Sequence, residues 1–352
     1  MTRPALLLLL AAGHLFGQTP APEAPPAAQN NSAIINAMGQ QDLHQAIQLL
    51  KSNYLNPEAL NETELSRATL SGLLSRLGRA VMLLPEGAAE AATTNAPFFS
   101  EVLEEHISYL RLGALSAPNL QALDAAISGF AAKKIDAVLL DLRASGSTND
   151  FTLAAEIANR FCPKGKPLFT LRKAAGRQER SFTSDRDPAY QGLMIVLVDG
   201  DTSGPAEAVA GVLRLYNKAL LIGQPTAGRA VEYSDLPLNN GRMLRVAGAE
   251  AVLPENRALF PAGLKPDLSV EMPPADKRLI IQQSVERGMS AFVFESERPH
   301  LNEAALLSGR NPEMEANDAA RRNRNTDKSL PRDPVVQRAV DIVTSLSIYQ
   351  QR

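Results

Sequence analysis

A serine at the junction between an apolar run and a helix is the first place to look for chemistry in this chain. Leu193-Met-Ile-Val-Leu-Val198 is continuously apolar, and Asp201-Thr-Ser-Gly-Pro-Ala-Glu207 follows it as the opening of a helix-like stretch. A hydroxyl there, at Ser203, could attack a carbonyl if a base reached it. Its competing role is structural: Ser203 or Gly204 as helix cap, Pro205 in the first turn and Glu207 at the positive helix end. Capping is the preferred reading. His106 would act as a base only by reaching Ser203, and a single histidine in a strand more often packs or faces solvent. Arg229 could grip a substrate carboxylate through two parallel hydrogen bonds, although an exposed or structurally paired arginine is the commoner finding. Cys162 is the only cysteine, so no intrachain disulfide can form. At the end of the amphipathic stretch 151–162 it reads as a small apolar residue rather than a reactive thiol. No cofactor and no metal are expected.

The layout around Ser203 resembles the tail-specific, or C-terminal-processing, serine peptidases. That family carries S-A-S-A-S-E-I-V-A-G after the same strand, against Asp201-Thr-Ser-Gly-Pro-Ala-Glu-Ala-Val-Ala-Gly211 here. Aligned on Glu207 and Ala210-Gly211, the family's catalytic serine falls on Gly204, which has no side chain to attack with. The family's G-x-x-T-x-G-K-G-x-x-Q corresponds to Gly223-Gln-Pro-Thr-Ala-Gly-Arg229-Ala-Val-Glu-Tyr233. The basic lysine is therefore Arg229, and the orienting glutamine is Tyr233. A Ser/Lys dyad needs an amine that can be neutral near working pH, and a guanidinium stays protonated. The family's D-L-R-x-N-x-G-G matches Asp141-Leu-Arg143 and its continuation, but the glycine pair that admits the oxyanion is Ser147-Thr148. Such preorganised donors are worth several kcal/mol to acyl transfer.

The resemblance extends along most of the chain. Asn53-Tyr54 to Leu77-Gly78 resembles the N-terminal helical module, His106 to Leu112 the G-Y-I-R-L strand, Pro254 to Asp267 the closing P…G-I-x-P-D, and Asp333 to Val343 the C-terminal helix. Relatives usually insert a PDZ domain after the helical module. Arg79 to Pro97 is too short for one, so its absence is expected.

Elements that must position these residues are legible in the pattern. Asn61-Glu-Thr-Glu64 is a capping box before Leu70, Leu73, Leu74 and Leu77, with Gly78 as terminator. Asn119–Lys133 reads as a helix, Ile135–Leu142 as a strand, Phe151–Phe161 as a helix and Pro167–Leu171 as a strand. Leu193–Val198, Pro205–Tyr216 and Ala219–Ile222 repeat the alternation. Near-continuous apolar strands between helices predict a buried, largely parallel sheet. The fold class is thus α/β, which the resemblance sharpens to a ClpP/crotonase-like core of ββα units with N- and C-terminal helical segments.

At 352 residues, 45% hydrophobic and 21% charged, the chain can bury a sizeable core. A net charge of −2 and the absence of Trp argue against nucleic acid and against an anionic membrane. The expected organisation is a signal peptide over 1–17, a Pro/Ala linker over 18–32, a helical region over 33–97, the core over 98–273, a helical extension over 274–295, a polar linker over 296–330 and a C-terminal helix over 331–352. Arg3 and the Leu-rich run Ala5 to Ala12 predict export by a cleaved signal, to a bacterial periplasm or beyond, with no stable membrane span afterwards.

Two functions remain open: a pseudopeptidase that binds a polypeptide or an envelope protein without cleaving it, or an active serine endopeptidase with rearranged residues. The first is preferred because no deprotonatable base remains. Asp333-Pro334 opens a terminal helix with an apolar stripe of Val335, Val336, Ala339, Val340, Val343 and Leu346. The stripe would pack either on the chain's own core or on a partner, and the resemblance to a family whose members dimerise through their terminal helices favours a homodimer.

Overall fold

The computed structural model describes residues 27–85, 97–146, 149–173, 179–293 and 330–350. The expected signal peptide, residues 18–26 of the linker, the Ser147-Thr148 pair and residues 296–329 lie outside them. The chain divides into two compact units, one ending at Arg76 and one beginning at Leu77.

The first unit is helical: α1 (Ala27–Ala37), α2 (Gln40–Asn53) and α3 (Glu62–Leu77). α1 begins inside the stretch expected to be extended linker. Prolines stop at Pro26, and the alanines that follow favour helix. The expected start of α3 is present, with Asn61 Oδ1 accepting from the Glu64 amide at 2.9 Å, and Gly78 ends it at φ +52°. α2 and α3 bury none of their residues. Leu43, Ile47, Leu50, Leu70 and Leu73 are exposed.

In the second unit a six-stranded sheet runs β12-β8-β7-β4-β3-β2. Its strands are β2 (Phe99–Leu103), β3 (Ile107–Arg111), β4 (Ala137–Asp141), β7 (Leu193–Val198), β8 (Leu220–Gly223) and β12 (Leu268–Ser269). All neighbours are parallel except the β2–β3 hairpin. Helices cover both faces. Val138 and Leu140 point into a core built with α4 (Ala117–Ser128), α6 (Phe151–Asn159) and α7 (Pro205–Leu215). Ala137 and Leu139 point to the other side, against α8 (Pro274–Arg287), α9 (Ser290–Val293) and α10 (Pro334–Gln350). Burial on both faces explains why these strands read as continuous apolar runs. The expected Asn119–Lys133 helix is divided at Gly129 into α4 and α5 (Phe130–Lys133).

A second, antiparallel sheet departs from the expected arrangement. It joins β1 (Val81–Leu84), β5 (Pro167–Lys173), β6 (Arg180–Thr183), β9 (Val231–Pro237), β10 (Met243–Leu253) and β11 (Arg257–Ala258). Residues 167–171, expected to continue the parallel alternation, pair antiparallel with β6 and β10 instead. The long β9–β10 hairpin escaped the sequence reading because its polar, exposed or half-exposed positions (Glu232, Ser234, Arg245) interrupt any apolar run.

α10 corrects a second expectation. Val335, Val336, Ala339, Val340 and Val343 are buried in the chain's own second core. The stripe packs on the sheet, so charged substitutions at Val336 or Val340 would break the core rather than release a dimer. Among the described residues no helix is long and apolar enough to cross a membrane.

Candidate functional site

Parallel strands β4 and β7 end side by side, and the loops after them converge. Gly204 sits at the start of α7 with φ +59° and ψ −126°, a backbone region that side chains adopt only with strain. Glycine is the residue that holds this strand-to-helix bend without strain. Pro205, next in line, has no N–H to offer an oxyanion.

Glu207 organises the site. Fully buried, its carboxylate accepts from the Gly204 amide (3.1 Å), Thr226 Oγ1 (2.5 Å), the Gly228 amide (2.7 Å) and the Arg229 amide (2.7 Å). It thereby clamps the 204 turn to the 226–229 loop. Burial pushes the Glu207 carboxyl above its ordinary range, against the pull of these four hydrogen bonds. The sequence reading gave Glu207 only a helix-end role, since the distant partners Thr226 and Gly228 carry no local signal. Thr202 adds a second tie, its hydroxyl donating to the Leu142 carbonyl at 3.1 Å and its carbonyl accepting from the Ala227 amide at 3.0 Å. Gly228 (φ +63°) closes the loop tightly: a Cβ there would stand 2.1 Å from the Pro261 carbonyl oxygen.

The clamp thus brings the backbones of Gly204 and Arg229 to one carboxylate. The Gly204 amide is committed to Glu207. The Arg229 side chain is exposed and makes no hydrogen bond or ion pair with any described residue. Tyr233 is half-buried, donates from its hydroxyl to the Arg79 carbonyl at 2.8 Å, and exchanges backbone hydrogen bonds with the Asn149 side chain (3.0 and 3.3 Å). Burial raises its phenol above the ordinary value. Arg79 donates in turn to the Ala227 carbonyl, a surface contact between distant segments that the sequence did not announce.

Ser203 is 6% exposed, and its hydroxyl has no hydrogen-bond partner among the described residues. It neither caps α7, whose cap is Gly204, nor meets a base. His106 lies before β3, its ring bonded to the Glu104 carbonyl, at the end of the sheet opposite to Ser203. Five residues of strand separate the two ends, on the order of 15 Å. Cys162 is buried, and burial pushes its thiol up to about 12, so it is inert. Among the described residues no group of three His, Cys, Asp or Glu could hold a metal ion.

A buried ionic network stands behind the 142–146 loop. Arg143 pairs with Asp141 (2.7 Å) and Asp333 (2.8 Å), all three at most 3% exposed. Asp141 also accepts from Tyr109 at 2.7 Å, and Lys277 of α8 reaches Asp199, Asp201 and the Arg143 carbonyl. Burial pushes the Asp141 carboxyl up, but Arg143 and Tyr109 hold it below its ordinary value. Asp333 also caps α10, accepting from the Val335 and Val336 amides at 3.0 Å each. The Asp-Leu-Arg motif thus anchors the terminal helix under the loop. The cap at Asp333 was legible in the sequence; the long-range pair with Arg143 was not.

Residues 106–270 match peptidase family S41. A carboxyl-terminal-processing protease of Synechocystis sp. is 28% identical over 169 residues, covering 48% of this chain and 39% of that protein. A carboxy-terminal-processing protease of Bartonella bacilliformis is 26% identical over 243 residues, covering 66% of this chain and 56% of that protein. The chain thus spans about half the length of these curated relatives. Among solved structures, a candidate peptidase of Parabacteroides merdae superposes with a TM-score of 0.51 at 16% identity, over 69% of this chain and 85% of that one; this likeness concerns the fold alone.

Proposed function

We propose a function that starts from family membership: the core of this chain, residues 106–270, belongs to peptidase family S41, the tail-specific serine proteases, and it keeps their fold without their chemistry. The protein is a pseudopeptidase that binds a polypeptide, or a partner protein of the cell envelope, without cleaving it. The observation that carries this reading is Gly204, a positive-φ turn tied by its amide to Glu207 and carrying no side chain that could attack. The guanidinium at Arg229 cannot take a proton, and the one Gly204 donor that could face an oxyanion already serves Glu207. Removing a single preorganised donor of that kind costs an active enzyme about 100- to 1,000-fold.

Ser203 is the fallback nucleophile, and no base is hydrogen-bonded to it among the described residues, which weighs against a rearranged enzyme. The test is binding of a labelled unfolded polypeptide by fluorescence anisotropy. Saturable binding, unchanged within error in Ser203→Ala, is expected; no binding at any concentration reached would refute the reading.

Residues 1–17 support export, and the exposed leucines of α2 and α3 support a homodimer through the N-terminal helices rather than through α10. Mass analysis and light scattering of protein from the envelope fraction read both at once. A chain shortened by about 17–20 residues, with the mass of a dimer, is expected. An intact Met1 start overturns the export claim, and a monomer at tens of micromolar overturns the dimer.

A further inference from the structure

The residue standing where the family places its orienter holds on to a piece of this chain. Arg79 and β1 lie beside the 226–233 segment through three contacts. The Tyr233 hydroxyl donates to the Arg79 carbonyl at 2.8 Å, the Arg79 guanidinium donates to the Ala227 carbonyl, and Val81 to Leu84 pair antiparallel with Met243 to Val246 of β10. Gly228 makes room for the guanidinium: a Cβ there would stand 3.1 Å from Arg79 Nη1. Around Tyr233 lie the charges of Arg229, Arg245, Arg79 and Glu207. Arg245 is paired with Asp235 and stacked over the Tyr233 ring at 5.9 Å.

The attachment is slight. β1 has four residues, none of them buried, and Arg79 is itself exposed. Gly78, at φ +52°, supplies a flexible point at the strand's entrance. What β1 covers is a stretch of sheet edge. On that side of β10, β5 pairs with residues 249–252, so without β1 the backbone groups of 243–246 would stand open. An open edge of this kind accepts an extended chain by strand addition.

We infer that Gly78–Leu84 is a displaceable strap, fastened by Tyr233 and Arg79, that an extended polypeptide replaces on the 243–246 edge of β10. The inference rests on the polypeptide-binding function proposed above and supplies its regulation: the chain's own strand competes with the ligand. Main-chain hydrogen bonding gives such a site little sequence preference and a requirement for an unfolded or extended ligand.

Two variants test it. Tyr233→Phe removes one fastening hydrogen bond and leaves the Asn149 contacts to the Tyr233 backbone in place. Leu83→Cys with Leu244→Cys, opposite each other in the register, locks the strap when oxidised. Hydrogen exchange at the amides of 243–246 should quicken in Tyr233→Phe by roughly five- to tenfold, the equilibrium change expected from one hydrogen bond. Affinity for a reduced, carboxymethylated polypeptide should rise by a similar factor in that variant. The oxidised lock should abolish binding, and reduction should restore it. Binding by wild type with neither exchange nor affinity altered in Tyr233→Phe, or with full affinity in the oxidised lock, overturns the strap and leaves the proposed function standing. Absence of binding in wild type, Tyr233→Phe and the reduced lock alike overturns both.

Discussion

Glu207→Ala is expected to lower the unfolding free energy by about 3–5 kcal/mol, the range for removing one member of a buried, fully paired polar group. Four donors, the amides of Gly204, Gly228 and Arg229 and the hydroxyl of Thr226, would lose their acceptor at once. Urea denaturation reads the loss directly, and a loss below about 1 kcal/mol would contradict the clamp. The carboxylate also sets a pH signature. Burial raises the folded-state value of Glu207, so the folded protein holds that proton more tightly than the unfolded chain does. Stability from this group is then full below the ordinary glutamate value and falls as pH rises through the folded one. The advantage of wild type over Glu207→Gln should therefore shrink across that window. An advantage that grows with pH would mean that the four hydrogen bonds outweigh burial.

Asp333→Ala is expected to cost a comparable amount, about 3–5 kcal/mol, because it leaves Arg143 buried with half its counter-charge. It also removes the cap of α10, worth about 1 kcal/mol in comparable helices. Hydrogen exchange should place the largest loss of protection in α10, which packs on β4, β7 and β8. Unfolding that is unchanged, or protection lost first in the β9–β10 hairpin, would show that the network does not anchor the helix.

What the sequence made legible and what it hid follow from the range of the interactions involved. β4 and β7 announced themselves because both faces are buried, and α3 because its cap at Asn61 and its terminator at Gly78 are local. The antiparallel sheet hid because β9 and β10 face solvent on many positions. Gly204, Arg229 and Tyr233 were singled out through the resemblance to the family's motifs, and Glu207 binds the backbone at 204, 228 and 229 whatever side chains stand there. The same logic explains the missed contacts. Arg79 to Ala227, and Arg143 to Asp333, join residues far apart in the chain, and nothing in either local segment marks its partner. The α10 stripe was read correctly as apolar, but which surface it covers is decided by the fold.

The central claim is that the protein binds a polypeptide without cleaving it. Its most direct measurement is intact-mass analysis of the purified protein after incubation with an unfolded polypeptide and, separately, with a serine-directed fluorophosphonate. The expected result is polypeptide recovered at full length and protein recovered at unmodified mass, with wild type and Ser203→Ala indistinguishable. Fragments, or a stoichiometric adduct, that appear with wild type and vanish in Ser203→Ala would contradict the account and restore an active peptidase.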